Sequence, residues 1–139
     1  MKIMVSACLL GENCKYSGGN NRDERVLAYV AGHEVIPVCP EVMGGLPTPR
    51  PPAEIVNGEV INQEGVSVDY EYRLGAQKAL EIARREKIDL AILQSRSPSC
   101  GVKQIYDGSF SGTRISGQGV FAGELIKNGF AVLDREDVE

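Results

Sequence analysis

Short apolar runs alternate with amphipathic stretches along this chain. Four of the runs are predicted to be strands, at residues 2–7, 34–39, 88–94 and 130–134. Apolar runs of this length, bounded by turn-forming residues, are typical of strands buried in a sheet. Pro37 weakens the prediction for the second run, because proline has no N–H to donate to a neighbouring strand on that side.

Three stretches have the periodicity of helices. In 22–32 apolar residues recur on one face, acidic residues come early, and Gly32 follows the last turn, as is usual at a helix end. The longest stretch, 69–87, has basic residues near its C-terminal end, where the helix dipole favours them. Its core-facing residues are predicted to be Leu74, Leu80, Ile82 and Ala83. A third helix is predicted near 119–128.

This alternation of strands and helices predicts an α/β fold. Its sheet is expected to be central and mostly parallel, with helices on both faces and right-handed crossovers between strands. Two β-rich runs in 53–62 flank Asn57-Gly58, which is the strongest short hairpin signal and predicts a small β-hairpin insertion. No repeat or linker interrupts the pattern, so a single domain spanning 1–139 is expected.

Two segments lack such patterns. Residues 40–52 contain five prolines and two glycines, which predicts a long irregular loop without a helix or central strand, and such loops often carry function. The Gly- and Ser-rich segment 108–119 fits no nucleotide-binding fingerprint. Its one candidate role is to precede a helix whose N-terminus could receive an anion.

Composition and charge narrow the classes of partner. The net charge is −4 and the pI is about 5.1, which argues against a general polyanion-binding face but allows a local pocket for one nucleotide or a short RNA element. The chain has no tryptophan and few other aromatic residues, so an extensive base-stacking platform is not expected.

Neither export nor membrane insertion is expected. The stretch "VSAC" (5–8) resembles a lipoprotein cleavage site, but the apolar run ahead of it is only residues 3–5, far shorter than an export signal. No other segment approaches the roughly 18 apolar residues of a membrane span. We therefore expect a cytoplasmic protein.

The cysteines are the first candidates for chemistry. There are four of them, at positions 8, 14, 39 and 100, with no C-x-x-C pair. Cys8 follows the first predicted strand, Cys39 closes the second, and Cys100 comes six residues after the third. Since the carboxyl ends of parallel strands share the edge where ligands bind, these three thiols are expected to converge there. The alternative is that each is a small buried hydrophobic residue.

In a reducing compartment such a cluster favours metal binding or catalysis over disulfides. Zinc could take four thiolates, with Cys14 as the fourth, or three with an open position. Iron–sulfur clusters are also held by thiolates, and a cluster with three protein ligands leaves one iron open to a substrate atom. The spacing alone does not decide between zinc and iron.

Polar residues accompany the cysteines. Glu41 lies two positions after Cys39 and could act as an acid or base, or be a solvated loop carboxylate. Ser97 and Ser99 flank Pro98 just before Cys100, where serines commonly hydrogen-bond to turn backbone. Arg50 is the one cation of the proline-rich loop, and could face a substrate anion or form a salt bridge to a nearby acid.

Four stretches carry a resemblance to a known family. They are "SACLLGENCKYSG" (6–18), "CPEVMGGLPTPRPPAE" (39–54), "SRSPSCG" (95–101) and "GQGVFAGELIKNG" (117–129). Together they resemble a bacterial and archaeal family with members described as thiouracil desulfurases. The match covers nearly the whole chain and includes all the cysteines.

The resemblance implies a 4Fe–4S cluster held by Cys8, Cys39 and Cys100, with the fourth iron open. Glu41 and Ser97 would be the catalytic acid–base pair. The implied reaction is the non-redox removal of sulfur from a thiolated uracil, as a free base, a nucleoside or in tRNA, to give uracil and sulfide. Cys14 also matches a family position and could replace Cys8 as a ligand or be a fourth one. Protein prepared in air could lack the cluster.

Two other functions remain open. One is a structural zinc or iron–sulfur module that binds RNA or a protein partner and catalyses nothing. The other is a cysteine-based sulfur carrier or reductase, against which no histidine lies within the cysteine loops to activate a thiol.

Overall fold

The computed structural model describes residues 1–139, and eight strands and four α-helices form its framework. The strands are β1 (Lys2–Ser6), β2 (Glu34–Val38), β3 (Ala53–Val56), β4 (Glu59–Asn62), β5 (Leu90–Leu93), β6 (Gln104–Tyr106), β7 (Arg114–Ser116) and β8 (Val132–Asp134). The helices are α1 (Glu24–Val30), α2 (Pro40–Met43), α3 (Asp69–Glu86) and α4 (Val120–Lys127). Single turns of 3₁₀-helix span Ala7–Leu10 and Arg135–Asp137.

The central sheet has the strand order β2-β1-β5-β8, and every neighbouring pair is parallel. Met4 pairs with Ile36 on one side and with Ala91 on the other, so β1 and β5 lie in the middle and are almost wholly buried. The α/β fold predicted from the alternation is confirmed.

Strand β2 is an edge strand and is less buried than the sequence predicts. Most of its residues are partly exposed. Pro37 is tolerated there because an edge strand has no partner on its outer side to receive an N–H.

Helices cover both faces of the sheet. On one face α3 and α4 pack around Met4, Leu93 and Phe121 in the largest core cluster. On the other, α1 places Val26 and Val30 against the opposite side of β1 and β5. Alternate residues of the central strands therefore serve two separate cores, as in other parallel sheets with helices on both faces.

The core-facing stripe of α3 differs in part from the prediction. Leu80 and Ala83 are buried as expected, whereas Leu74 and Ile82 are only partly buried. The rest of the buried face is made by Tyr72, Gly75, Ala76 and Ala79. Small residues dominate this face because α2 and α4 approach α3 closely.

The prediction that 40–52 contains no helix is wrong for its first residues, which form the single turn α2. Proline fits the first position of a helix, where its missing N–H is not needed. A Cβ on Gly44 would lie 1.9 Å from the Glu71 carbonyl oxygen, and one on Gly75 would lie 1.7 Å from the Pro40 carbonyl oxygen. The two glycines therefore let α2 lie directly on α3.

Two antiparallel hairpins project from the layered core. Strands β3 and β4 pair around Asn57-Gly58 as predicted, and both turn residues have positive φ, as a two-residue hairpin turn requires. The β6–β7 hairpin was not predicted. Its strands have only three residues each, and all three residues of β7 are exposed, so the two strands have no apolar pattern that sequence analysis could recognise. None of the helices combines the length and the apolar character that a membrane span requires.

Candidate active site

A cavity of about 460 Å³ opens at the edge of the sheet where the central parallel strands end. Its lining includes Ser6 and Val38, the last residues of β1 and β2, and Gln94, which follows β5. All four cysteines line the same cavity. The convergence expected from the strand ends is therefore present, and Cys14 joins it from the loop after β1.

A different local structure delivers each thiol. Cys8 lies in the 3₁₀ turn that follows β1, and its Sγ accepts a hydrogen bond from Asn21 Nδ2 at 3.5 Å. Cys39 is the residue that caps the N-terminus of α2. Its Sγ lies 3.8 Å from the carbonyl oxygen of Cys14. Cys100 ends a tight turn after β5, with Ser99 Oγ 3.7 Å from its sulfur.

The turn that carries Cys100 is held from within and from α4. Ser97 Oγ accepts the N–H groups of Ser99 and Cys100, both at 3.1 Å. The N–H groups of Val120 and Phe121, at the start of α4, donate to the carbonyl oxygens of Pro98 and Ser99 at 2.8 and 2.9 Å. The idea that this helix end receives an anion is therefore wrong, because turn carbonyls already occupy those amides.

Glu41 and Arg50 form a buried ion pair beside the thiols. Arg50 Nε lies 3.1 Å from Glu41 Oε1, and Arg50 Nη2 lies 3.0 Å from the same oxygen. The Arg50 side chain is only 5% exposed and the Glu41 side chain 13%. Arg50 Nη2 also donates to the Cys14 carbonyl oxygen at 2.9 Å. The Pro47 carbonyl and the Thr48 hydroxyl accept from Nη1 at 3.2 and 3.0 Å. Of the two roles considered for Arg50, the structure shows the salt bridge.

The second oxygen of Glu41 faces the serine turn. Ser99 Oγ donates to Glu41 Oε2 at 2.8 Å, and Ser97 Oγ approaches the same oxygen at 3.4 Å. The two hydroxyls are themselves 2.9 Å apart. Ser99 is 1% exposed, whereas Ser97 is partly exposed to the cavity. Glu41 is thus a fixed carboxylate rather than a solvated loop residue.

The thiols differ in how readily they ionise. Burial raises the pKa of Cys8, and it raises the pKa of Cys100 to about 12. A hydrogen bond from Cys14 and the Val42 N–H at the start of α2 lower the pKa of Cys39 to about 7, as helix N-termini do for thiols. The hydrogen bond between Cys14 and Cys39, together with burial, raises the pKa of Cys14. Cys39 therefore ionises near neutral pH, whereas the thiols whose pKa is raised need a metal centre to stabilise their thiolates.

The residues present fit an iron–sulfur cluster. No three His, Cys, Asp or Glu side chains lie close enough together to enclose a single metal ion. The thiols instead border a cavity with room for a larger group. Soft thiolate donors suit iron–sulfur clusters. Asn21 and Ser99 supply polar hydrogens next to two of the sulfurs, a kind of contact that tunes such centres.

The sequence did not point to two features of the site. Tyr72 of α3 lines the cavity. Burial raises the pKa of its hydroxyl, and the charge of Glu41 and a hydrogen bond to Glu41 raise it further. Tyr106 and Phe110 reach the cavity from the unpredicted β6–β7 hairpin. Tyr72 was recognisable only as an apolar residue at helical spacing, and the hairpin left no signal.

Comparison with known proteins agrees with the fold and identifies the family. A family model described as 2-thiouracil desulfurase matches residues 3–137. The uncharacterized protein YbbK of Bacillus subtilis (strain 168) is 36% identical in an alignment 146 residues long that covers 98% of this chain and 97% of YbbK. The solved structure of the 4Fe–4S-dependent thiouracil desulfidase TudS matches with a TM-score of 0.93 and 39% identity, over 99% of this chain and 92% of that one. The resemblance read from the four sequence stretches is confirmed: the chain belongs to the 2-thiouracil desulfurase family.

Proposed function

We propose that this protein is a cytoplasmic single-domain desulfurase, spanning 1–139, that converts a thiolated uracil into uracil and sulfide. The observation that carries the proposal is one cavity that holds Cys8, Cys39 and Cys100 together with the paired Glu41 carboxylate and the Ser97 hydroxyl. Membership of the 2-thiouracil desulfurase family and the likeness to TudS support it.

The cofactor in this proposal is a 4Fe–4S cluster held by Cys8, Cys39 and Cys100. When bound through three thiolates, it supplies an open iron that is a soft Lewis acid for a thiocarbonyl sulfur. Cys14 lies next to Cys39 and is proposed to support the site without being a ligand.

The reaction is a substitution at carbon without net oxidation. One water adds its oxygen to the thiocarbonyl carbon, the carbon–sulfur bond breaks, and both water protons leave with the sulfur as hydrogen sulfide or pass to solvent. No electron acceptor is needed, since carbon and sulfur keep their oxidation states.

Glu41 is proposed to take a proton from the attacking water and to return one to the leaving side. Arg50 fixes one of its oxygens, so the other is directed to the serine turn and the cavity. A positioned carboxylate contributes typically 10²- to 10⁴-fold to such a proton transfer.

Ser97 is proposed to relay protons between Glu41 and the pyrimidine. Its contact with Glu41 is long, at 3.4 Å, and its side chain is partly exposed to the cavity, so its hydroxyl can turn to a bound ring. Ser99, which is buried and donates at 2.8 Å, holds Glu41 in place.

The test uses anaerobically prepared, iron-loaded protein. Glu41→Gln should retain iron and sulfide but turn over 2-thiouracil, 4-thiouracil or 4-thiouridine about 10²-fold or more slowly than wild type. Turnover is measured as the loss of thiocarbonyl absorbance and the release of sulfide. Wild-type rates from Glu41→Gln would remove the carboxylate from the mechanism.

Thiolated tRNA is tested as a fourth substrate beside the base and nucleoside. Absence of turnover on all of them by loaded wild type would favour a non-catalytic metal module that binds RNA or a protein.

A further inference from the structure

Phe110 lies in the loop between β6 and β7 and lines the cavity that contains the thiols. It is partly buried. However, it belongs to none of the three hydrophobic clusters, either as a buried member or as an apolar residue packed against one. A half-buried aromatic ring that stabilises no core is available for a ligand.

The backbone of this loop is held by Glu54 of β3. Glu54 Oε1 accepts the N–H of Gly108 at 2.9 Å and the N–H of Phe110 at 3.1 Å. Gly108 lies directly on the same strand, since a Cβ there would be 2.7 Å from the Ile55 carbonyl oxygen. One carboxylate oxygen from another hairpin therefore fixes the two residues around Ser109.

Phe110 has a φ of +56°. Bulky residues rarely adopt this left-handed conformation, and where they do the surrounding structure must hold them there. The bond from the Phe110 N–H to Glu54 is such a restraint. With its backbone held in this way, the Phe110 ring lines the cavity and does not pack in a hydrophobic core.

Aromatic residues are concentrated around this cavity. The chain has five tyrosines, three phenylalanines and no tryptophan. Of these, Tyr16, Tyr72, Tyr106 and Phe110 line the cavity. Tyr72 is buried within the influence of the Glu41 charge, and Tyr106 lies beside Arg96, whereas the Phe110 ring has no polar atom that could tie it to a neighbouring side chain.

We propose that Phe110 is the residue on which the pyrimidine ring of the substrate stacks, and that Glu54 is the positioning residue that holds Phe110 in place. This inference rests on the proposed desulfurase function and adds how that site recognises a planar base. Stacking on an aromatic ring suits a pyrimidine because every base has a π-face.

Steady-state kinetics on loaded protein give the first test. Phe110→Ala should raise KM for 2-thiouracil or 4-thiouridine by roughly tenfold or more, as expected for loss of one base–aromatic stack, with a much smaller change in kcat and unchanged iron content. Phe110→Tyr, which keeps an aromatic face, should have the KM of wild type. Glu54→Ala should raise KM in the same way, while Glu54→Gln, which keeps an accepting oxygen, should not.

Ile115→Ala is the matched control, because Ile115 is an exposed apolar residue of the same hairpin that does not line the cavity. Its KM should equal that of wild type. Wild-type KM in Phe110→Ala, or an equal rise in Ile115→Ala, would overturn the proposal while leaving the desulfurase function intact.

A binding experiment tests the proposal without turnover. Since the chain has no tryptophan, Phe110→Trp introduces a single tryptophan, whose emission can be excited apart from that of the tyrosines. Titrating the loaded variant with uracil, excited at the red edge of the indole band, should quench its emission saturably. Tyr70→Trp, at a residue that is 73% exposed and does not line the cavity, should not respond.

The binding experiment also separates failure of the inference from failure of the function. Quenching by uracil in Phe110→Trp would support stacking even if no thiolated substrate were turned over. A Phe110→Trp signal that uracil does not change, in protein that desulfurates thiouracil with wild-type KM, would contradict stacking alone.

Discussion

Arg50 holds one oxygen of Glu41 and leaves the other to Ser97 and Ser99. The same guanidinium bonds the carbonyl oxygen of Cys14. A single buried side chain thus connects the proposed base to the loop that carries one of the thiols. This connection makes Arg50 a structural residue of the site and gives it no free donor for a substrate anion.

Removing Arg50 should therefore destabilise the protein strongly. Arg50→Ala leaves the Glu41 carboxylate buried without its counter-charge, and breaking a buried pair in this way costs about 3–5 kcal/mol. The free energy of unfolding in urea is the measurement. In the background of Glu41→Gln the same change should cost clearly less, and equal losses in both backgrounds would show that the ion pair is not the cause.

The individual cysteines should differ in their effect on iron loading. Cys8→Ala, Cys39→Ala and Cys100→Ala should each abolish stable loading, whereas wild type should carry about four irons per chain, as a cubane cluster does. Cys14→Ala should lose less iron, because Cys14 is proposed to support Cys39 without binding iron. Iron and acid-labile sulfide are measured without exposure to air.

The opposite pattern in that series would be equally informative. If Cys14→Ala lost all its iron while Cys8→Ala kept it, the two roles would be exchanged. Equal loss from all four variants would favour a closed site with four thiolates, and stoichiometric zinc without sulfide in wild type would exclude the cluster.

Among the secondary-structure elements, α2 depends most on a neighbour. It is one turn long, begins at Pro40 and carries Glu41, with Cys39 as its capping residue. A turn of this length has little stability of its own, because helix nucleation is unfavourable. Its contact with α3 through Gly44 and Gly75 therefore determines where the acid and one of the thiols lie.

Substituting Gly75 tests that dependence. In Gly75→Ala the new Cβ would lie 1.7 Å from the Pro40 carbonyl oxygen, so backbone must move, and overpacking of this kind costs about 1–3 kcal/mol. We expect a lower Tm and poor iron loading, because Cys39 moves with α2.

Gly123→Ala on α4 is the matched control. Its Cβ would meet only Gln118 Oε1, at 3.9 Å, and alanine favours a helix over glycine by about 1 kcal/mol. Tm should be unchanged or higher, with full loading. A Gly75→Ala protein as stable and as well loaded as Gly123→Ala would contradict the role given to the α2–α3 contact.

The elements that were predicted correctly are those whose structure is determined by residues within the same segment. Strands β1 and β5 are continuous apolar runs, and the β3–β4 hairpin has its Asn-Gly turn. The single turn α2 and the β6–β7 hairpin were missed, because contacts with distant residues stabilise them: Gly75 for the first and Glu54 for the second. Neither contact leaves a periodic pattern in its own segment.

At the scale of the whole molecule, topology explains how much of the site was predictable. Parallel strands end at one edge, so the positions of Cys8, Cys39 and Cys100 followed from strand order. The polar partners could not be predicted in this way. Glu41 meets Ser99 across 58 positions of sequence, and Arg50 meets Cys14 across 36, and such pairings depend on packing that only the folded chain shows.

Asp23 connects the start of α1 to the C-terminal part of the chain. It caps α1 by accepting the N–H groups of Arg25 and Val26, and Arg135 Nη1, near the C-terminus, lies 3.2 Å from its other oxygen. Burial alone would raise the pKa of this carboxyl, but these hydrogen bonds and the Arg135 charge outweigh burial and hold the pKa below the usual 3.8.

The lowered pKa has a definite consequence for stability as a function of pH. A carboxyl whose pKa is lower in the folded state stabilises the protein above its unfolded pKa, and that contribution disappears as pH falls through the folded value. Asp23→Asn, which keeps an accepting oxygen but no charge, should thus have a lower Tm than wild type near neutral pH. The difference should shrink as pH falls below 3.8. Thermal unfolding of both proteins between pH 7 and pH 3 measures it, and a Tm difference that stays constant or widens towards acid pH would show that the charge of Asp23 does not stabilise this connection.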